Sequence, residues 1–306
     1  MSDASGGAEI PVICGPTAAG KSDLALGLAA RFGRAILVAD SRQVYRGFDV
    51  GTAKPTAAEQ ARVPHLGIDL VEPTERYSAA QWASAADAWL AAGNPVPIVV
   101  GGTGLYLRAL FTGLFEEPDL DPARRMALLD ALDSRPTEEL RRWVEALDPA
   151  RAALGRTQLI RAIEVALLTG SRISDLHRAR ATVSRWRPRY LVIDPGPALH
   201  DRIARRFDSM IGAGWVEEVR ALRERVPGTA PAWKASGYRT VRDVVDGRLS
   251  LVEARERILI ETRQYAKRQR TWFRHQLPED LTTRVNPEDS GAAAAVERWF
   301  AGFRGR

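Results

Sequence analysis

Residues Gly15 to Ser22 have the composition and spacing of a phosphate-binding loop, because they fit the pattern G-x-x-x-x-G-K-[ST]. In such a loop the glycines let backbone N–H groups surround a phosphate, the lysine adds positive charge, and the serine hydroxyl can bind Mg²⁺. The pattern predicts a pyrophosphate site, with Ser22 as the metal ligand. The residues of this site are Gly15, Pro16, Thr17, Ala18, Ala19, Gly20, Lys21 and Ser22.

An acidic residue ends the next strand-like segment. Asp40 follows directly after the apolar run 36–39. In kinases and nucleoside triphosphatases an acid at the end of the second strand holds Mg²⁺, and ATP is the commonest ligand of a phosphate loop. The loop and Asp40 alone therefore leave the rest of the ligand open, and a small-molecule kinase is one interpretation.

The first hundred residues alternate between short apolar runs and helical patterns. This alternation indicates an α/β fold: a P-loop NTPase-like parallel sheet flanked by helices. The predicted strands are 10–14, 35–39 and 97–100, and the predicted helices are 22–32 and 78–91.

The character of the sequence changes near Pro118, where strand-like runs give way to Arg-rich helical segments. A strand signal returns at 190–193, and long helical patterns follow it. We therefore predict a helical insertion domain at 118–187 within a catalytic core made of 1–117 and 188–306. The polar chain after His275 is expected to be peripheral.

The composition favours a polyanionic partner, since the 306 residues carry a formal charge of +6. Most of the basic residues are arginines, which a GC-rich genome can also produce. No stretch approaches the roughly 18 consecutive apolar residues of a membrane helix, and the first nine residues lack a secretory signal. We therefore expect a cytoplasmic protein without a membrane partner, acting as a monomer.

Four cations follow one another at helical spacing near the end of the chain. Arg263, Lys267, Arg270 and Arg274 are separated by four, three and four residues, which places them on one face of a helix. Such a basic stripe is usually a solvated surface. It is also a surface that can bind the phosphates of a nucleic acid.

The segment after Asp40 closely resembles the tRNA dimethylallyltransferase family, also called tRNA isopentenyltransferases or IPP transferases. The likeness covers about residues 10 to 275 in the family's order. The matching blocks are Asp40-Ser-Arg-Gln43, Asp49-Val-Gly51-Thr52-Ala-Lys54-Pro55, Val99-Val100-Gly101-Gly102-Thr103-Gly104-Leu105-Tyr106, Arg161-Ala162-Ile163-Glu164, Arg206-Phe207-Asp208, Gly237-Tyr238 and Thr262-Arg263-Gln264-Tyr265-Ala266-Lys267-Arg268-Gln269.

The resemblance implies an enzyme that transfers a dimethylallyl group from dimethylallyl pyrophosphate to N6 of the adenosine immediately 3′ of the anticodon. The products are N6-(dimethylallyl)adenosine and pyrophosphate, and Mg²⁺ is the cofactor. By the same resemblance Asp40 is the general base, Thr103 lies near the bridging oxygen of the donor, and Arg206 neutralises the leaving group. Arg202 is the rival candidate for that last role.

The resemblance further implies that the anticodon stem-loop of tRNA is the partner, held in part by the helical insertion. The residues expected to contact tRNA are Asp40, Ser41, Arg42, Gln43, Thr103, Arg125, Gln158, Leu159, Ile160, Arg161, Gly237, Tyr238, Arg263, Lys267 and Arg270.

Some positions depart from the family pattern. Leu66 follows His65 where a second histidine is common, Arg42 replaces an apolar residue, and Ser236 replaces an aliphatic one before Gly237. These departures keep the proposed catalytic groups but affect how the anticodon loop is read. Besides a kinase, the open alternatives are an adenylate isopentenyltransferase that prenylates free nucleotides and a non-catalytic RNA-binding protein.

Overall fold

The computed structural model describes residues 7–113, 120–179 and 184–303. The chain forms two compact units. The larger unit joins the residues up to Phe111 with those from Ser184 onward, and the smaller unit is Thr112–Val183. Each unit has a hydrophobic core of its own.

Six parallel strands form the centre of the larger unit. In chain order they are β1 (Ala8–Cys14), β2 (Ile36–Val38), β3 (His65–Leu66), β4 (Ile98–Gly101), β5 (Trp186–Ile193) and β6 (Thr282–Val285). They lie in the order β3-β2-β4-β1-β5-β6, and every neighbouring pair is parallel. β4 is buried along its whole length, as expected for a central strand of a parallel sheet. The predicted α/β class with a parallel sheet is confirmed.

Helices connect and flank these strands. Those of the larger unit are α1 (Lys21–Phe32), α2 (Ala57–Arg62), α3 (Ala79–Ala92), α4 (Gly104–Thr112), α9 (Leu199–Gly212), α10 (Trp215–Arg225), α11 (Tyr238–Val245), α12 (Leu251–His275) and α13 (Ala292–Ala301). Within the described parts of the chain, none of the helices combines the length and the apolar character that crossing a membrane requires.

The carboxyl ends of three strands meet at one edge of the sheet. Cys14, the last residue of β1, pairs with Gly101 of β4, and Val38 of β2 pairs with Val100 of β4. From β1 the chain passes to β2, in the direction of the β3 edge of the sheet. From β4 it passes to β5, in the direction of the β6 edge. A reversal of this kind opens a crevice at the carboxyl edge, where ligands bind in open α/β sheets.

The chain after His275 belongs to the core, so the prediction of a peripheral tail was wrong. β6 pairs with β5, from Tyr190 opposite Thr282 to Ile193 opposite Val285. Trp299 and Phe300 of α13 are buried against residues of α1 and of the sheet. The polar composition concealed this contribution, because the pairing residues lie more than ninety positions apart in the sequence.

The smaller unit is helical. Its helices are α5 (Pro122–Asp133), α6 (Thr137–Leu147), α7 (Arg156–Thr169) and α8 (Ile173–Ala179). Leu132 of α5, Leu140 and Val144 of α6, and Leu159 and Ile163 of α7 bury one another in its core. The side chain of Asp121 caps α5 by accepting hydrogen bonds from the N–H groups of the first turn.

Candidate active site

The phosphate loop connects β1 to α1 at the carboxyl edge of the sheet. Gly15 has φ of 140°, and a Cβ at this position would lie 2.2 Å from the carbonyl oxygen of Ile193, so only glycine fits. Gly20 precedes α1 in a left-handed conformation and offers no side chain to cap the helix. The N–H groups of the first turn of α1 are therefore available to an anion.

Lys21 lies inside this loop. Its Nζ donates a hydrogen bond to the carbonyl oxygen of Pro16 at 2.7 Å. Removal from water lowers the pKa of Lys21 to about 8; the positive charge of Arg206 adds to this effect, and the negative charge of Asp40 opposes it. Burial raises the pKa of Cys14 to about 12, so that thiol stays protonated.

Two cavities open beside the loop. The larger, of about 650 Å³, lies between the carboxyl edge of the sheet and helices α9 and α12. The smaller, of about 110 Å³, is lined by Lys21 and Ser22 together with apolar residues of β2 and β4. The residues that line both cavities are Thr17, Asp40, Gly102, Arg206, Tyr265 and Gln269. The cavities therefore meet at a ring that contains a carboxylate and a guanidinium.

Arg206 and Arg202 both lie on α9 but line different cavities. Arg206 is half-buried and lines both cavities. Burial lowers its pKa, while the carboxylates of Asp40 and Asp23 act in the opposite direction. Arg202 instead binds Glu288, with its Nη2 2.7 Å from Oε1, and lines a separate third cavity. Arg206 therefore lines the two cavities that share Asp40, whereas Arg202 contacts the loop only at the carbonyl oxygen of Ala19, at 3.3 Å.

Asp40 and Thr103 lie side by side at the ends of β2 and β4. The N–H of Thr103 donates to the carbonyl oxygen of Ala39 at 3.3 Å, and the Thr103 hydroxyl accepts from the N–H of Ser41 at 3.2 Å. Oδ1 of Asp40 accepts from the N–H of Arg42 at 2.8 Å. Backbone hydrogen bonds thus hold Asp40 where the two cavities meet and Thr103 beside it in the wall of the larger cavity.

The segment from residue 41 to residue 54 forms one wall of the larger cavity. Ser41 and Arg42, which were predicted to contact tRNA, line this cavity. Gln43 is buried and lines the smaller cavity; its Nε2 donates to the carbonyl oxygens of Thr52 at 3.1 Å and Ala53 at 3.2 Å. The amide of Gln43 therefore holds the loop together.

Gly237 and Tyr238, which were predicted to contact tRNA, are buried. Tyr238 is 0% exposed, and its hydroxyl accepts from the N–H of Gly51 at 3.1 Å and donates to Glu218 at 2.6 Å. A Cβ at Gly237 would lie 2.4 Å from the ring of Trp215. The preceding residues, Lys234 to Ser236, line the larger cavity instead.

The basic stripe of α12 differs from its prediction in one member. Arg263, Lys267 and Arg274 are exposed. Arg270 is half-buried; its guanidinium binds Asp194 at 2.5 Å, and it also donates to the carbonyl oxygen of Gly196. The positive charge of Arg270 is thus paired with Asp194 within the protein.

In the smaller unit, two arginines predicted to contact tRNA share one acid. Arg125 lies 2.5 Å from Glu164 through its Nε, and Arg161 contacts the other oxygen of the same carboxylate. Glu164 is only 2% exposed. Gln158 is exposed and Ile160 partly so, but Leu159 is fully buried in the core, so tRNA contact by its side chain was a wrong prediction.

Comparison with known proteins agrees with this geometry. A family profile described as "IPP transferase" matches residues 43–276, and one described as "Isopentenyl transferase" matches residues 8–67. The chain is 46% identical over 276 residues to a "tRNA dimethylallyltransferase" of Anaeromyxobacter sp. (strain K), which covers 87% of this chain and 90% of that protein. The chain belongs to the IPP transferase family.

Solved structures of the family share the fold. The full-length tRNA isopentenylpyrophosphate transferase from Bacillus halodurans is 31% identical with a TM-score of 0.68, and the match covers 97% of each chain. A eukaryotic dimethylallyltransferase, in a structure described as "acting on tRNA", is 25% identical with a TM-score of 0.78. That match covers 96% of this chain and 78% of the eukaryotic one.

α12 carries a second stripe of residues that was not predicted from the sequence. Glu261, Tyr265, Arg268 and Trp272 line the larger cavity and have the same four-three-four spacing as the basic stripe. The two stripes are offset by two residues, which is about 200° around a helix. The predicted cations therefore face away from the cavity. The repeated spacing was the available signal, but the sequence does not show which stripe faces the sheet.

Proposed function

We propose that this enzyme transfers the dimethylallyl group of dimethylallyl pyrophosphate to N6 of the adenosine immediately 3′ of the anticodon in tRNA. The observation that carries the proposal is the meeting of two cavities at Asp40 and Arg206 beside the phosphate loop. One cavity offers cationic and N–H groups for a pyrophosphate. The other is wide enough for a base that has left its stack.

The reaction exchanges one bond for another at the first carbon of the donor. The carbon–oxygen bond breaks and pyrophosphate leaves with the electron pair, while the adenine N6 forms a bond to that carbon. The amine must then lose a proton, and Asp40 is the carboxylate that lines both cavities and can accept it. Thr103, whose hydroxyl lies beside Ser41, is positioned to contact the departing oxygen.

Charge stabilisation of the leaving group is the main task of the donor site. An allylic carbon ionises readily, so groups that neutralise pyrophosphate lower the barrier more than a stronger nucleophile would. The loop offers the N–H groups of the first turn of α1, Lys21 and the hydroxyl of Ser22. Arg206 approaches from α9 on the opposite side.

The oxygen atoms near the loop fit Mg²⁺. Ser22 and Asp40 both line the smaller cavity, and Mg²⁺ is commonly bound by one or two protein oxygens together with substrate phosphates and water. Across the described residues, no group of three or more His, Cys, Asp or Glu residues is arranged to hold a metal by itself. We propose that Ser22 holds the ion, which supplies additional positive charge to the pyrophosphate.

For tRNA, we propose contacts around the larger cavity and further contacts on the helical unit. Asp40, Ser41, Arg42 and Thr103 lie at the cavity, and Arg263 and Lys267 form an exposed surface on α12. Arg268 lines the cavity and is the cation of α12 best placed for a phosphate beside the target adenosine. In the smaller unit, the proposed contacts are Arg125, Gln158, Ile160 and Arg161.

One experiment separates this function from its alternatives. The purified protein is incubated with Mg²⁺, ATP and dimethylallyl pyrophosphate, together with equal concentrations of unmodified tRNA and AMP. We expect prenylated adenosine in tRNA, and mass spectrometry of the nucleosides identifies its position. Equal or greater prenylation of AMP would indicate an adenylate isopentenyltransferase, and phosphoryl transfer without prenylation would indicate a kinase. The proposal also places the enzyme with its tRNA substrates in the cytoplasm.

A further inference from the structure

Gln269 joins the phosphate loop to the turn that follows β4. Its Oε1 accepts a hydrogen bond from the N–H of Thr17 at 2.8 Å, and its Nε2 donates to the carbonyl oxygen of Gly102 at 2.8 Å. The residue is 6% exposed. A buried amide with both hydrogen-bonding groups satisfied is held in one orientation, because a rotated amide would leave buried polar groups unpaired.

The surroundings of Gln269 restrict it further. Ala266 and Phe273, which lie three residues before it and four residues after it, are also buried and fix this face of α12. On the other side, a Cβ at Gly102 would lie 2.4 Å from Nε2 of Gln269. Glycine at position 102 therefore provides the space that the amide occupies.

The same turn of α12 also contacts the side of the site where the adenine is expected. Tyr265, one turn before Gln269, lines both cavities and shares the lining of the larger one with Thr103. Thr103 in turn accepts from the N–H of Ser41, which follows Asp40 directly. One helical turn thus contacts the phosphate loop through Gln269 and lines the cavities beside Asp40 through Tyr265.

We propose that Gln269 is a positioning residue for prenyl transfer, which holds the phosphate loop and the Thr103 turn at a fixed separation. This inference rests on the proposed function. Gln269 would raise the rate of prenyl transfer through the proximity and orientation of the two substrates. The first carbon of the donor must lie against the adenine N6 when pyrophosphate leaves. Without that alignment, water competes with the adenine for the same carbon.

The two outcomes at that carbon have different products. In prenyl transfer the carbon binds N6, and Asp40 takes the amine proton. In capture by water the carbon binds the water oxygen, whose proton passes to solvent, and the products are dimethylallyl alcohol and pyrophosphate. The ratio of prenylated tRNA to dimethylallyl alcohol therefore reports alignment within molecules that are folded and active.

The test uses Gln269→Leu, which keeps a similar volume and removes both hydrogen bonds. The matched control is Gln276→Leu, an exposed glutamine that ends the same helix. With labelled dimethylallyl pyrophosphate and saturating tRNA, we expect the product ratio to fall by about tenfold in Gln269→Leu. The KM for tRNA should stay within about twofold of the original value, and the control should keep the original ratio.

An unchanged ratio in Gln269→Leu would overturn the inference. Loss of stability alone cannot produce the expected change, because unfolded molecules form neither product. If Gln269→Leu does not fold, Gly102→Ala can replace it, because the added Cβ displaces the same amide from the opposite side. The same fall in the product ratio is expected, and an unchanged ratio in Gly102→Ala would also overturn the inference. Failure of the proposed function is a separate result, since the unaltered enzyme would then form no prenylated tRNA.

Discussion

Arg270 and Asp194 form an ion pair in which Nη2 lies 2.5 Å from Oδ1. The pair connects α12 to the end of β5, and the same guanidinium reaches the carbonyl oxygen of Gly196. Both side chains are more than half-buried, with exposed fractions of 27% and 37%. Arg270 thus joins two distant elements of the larger unit, although its place in the basic stripe suggested a role at the surface.

Arg270→Ala is expected to lower the free energy of unfolding by about 1 kcal/mol, because Asp194 and the Gly196 carbonyl lose a partner while keeping some access to water. Urea unfolding followed by circular dichroism measures the change. Lys267→Ala, which removes an exposed cation from the same helix face, serves as the control and should shift stability by less than about 0.5 kcal/mol. Equal stability of both variants would show that the ion pair contributes little.

Arg268→Ala and Lys267→Ala should differ in their effect on tRNA. Arg268 lines the larger cavity, whereas Lys267 is exposed and is not among the residues that line it. We expect a rise of about tenfold in the KM for tRNA for Arg268→Ala and about threefold for Lys267→Ala, since each exposed cation that meets a phosphate adds to affinity. Kinetics at several salt concentrations measure both effects. A larger effect of Lys267 would mean that tRNA approaches over the other face of the helix.

Asp40→Asn should lower kcat by about 10²- to 10⁴-fold, which is the range for loss of a general base. The asparagine keeps an oxygen that can accept from the N–H of Arg42, so the loop should retain its conformation. Single-turnover prenylation of tRNA measures the chemical step. Asp201→Asn, at an exposed position at the start of α9, provides the control. A normal rate in Asp40→Asn would assign proton removal to another group.

Lys21 should make donor use dependent on pH. With a pKa of about 8, Lys21 is charged below that pH and loses its charge above it. We therefore expect kcat/KM for dimethylallyl pyrophosphate to be level below pH 8 and to fall as the pH rises beyond it. Lys21→Arg should remove the decline, because arginine stays protonated across this range. Lys21→Ala should lower the whole profile by at least about tenfold and leave it flat. A decline that persists in Lys21→Arg would belong to a different group.

Local sequence patterns were sufficient to predict the central fold. Gly15 to Ser22 follow an apolar strand and begin a helix, and this order is visible without any long-range information. The alternation of runs identified β1, β2, β4 and β5. β3 and β6 escaped prediction because they are short and polar, and they are strands only through their partners: Ile36 pairs with His65, and Tyr190 pairs with Thr282.

The candidate site was predictable in its residue types and less so in its geometry. Spacing identified Lys21 and Asp40, which the structure brings to the lining of the same smaller cavity. Spacing could not reveal that Arg270 forms an ion pair with Asp194, or that the Tyr238 hydroxyl forms hydrogen bonds with Gly51 and Glu218. These facts depend on groups brought together by the fold, and no local pattern reports them.

The pairing of β1 with β5 has a consequence for synthesis on the ribosome. Ala8 emerges early, yet its partner Trp186 is made only after the whole helical unit has been translated. The contacts of the helical unit join segments that are close in the sequence. The unit can therefore fold while β1 still lacks β5 as its neighbour. During that interval β1 can pair with β4, but its edge toward β5 has no partner.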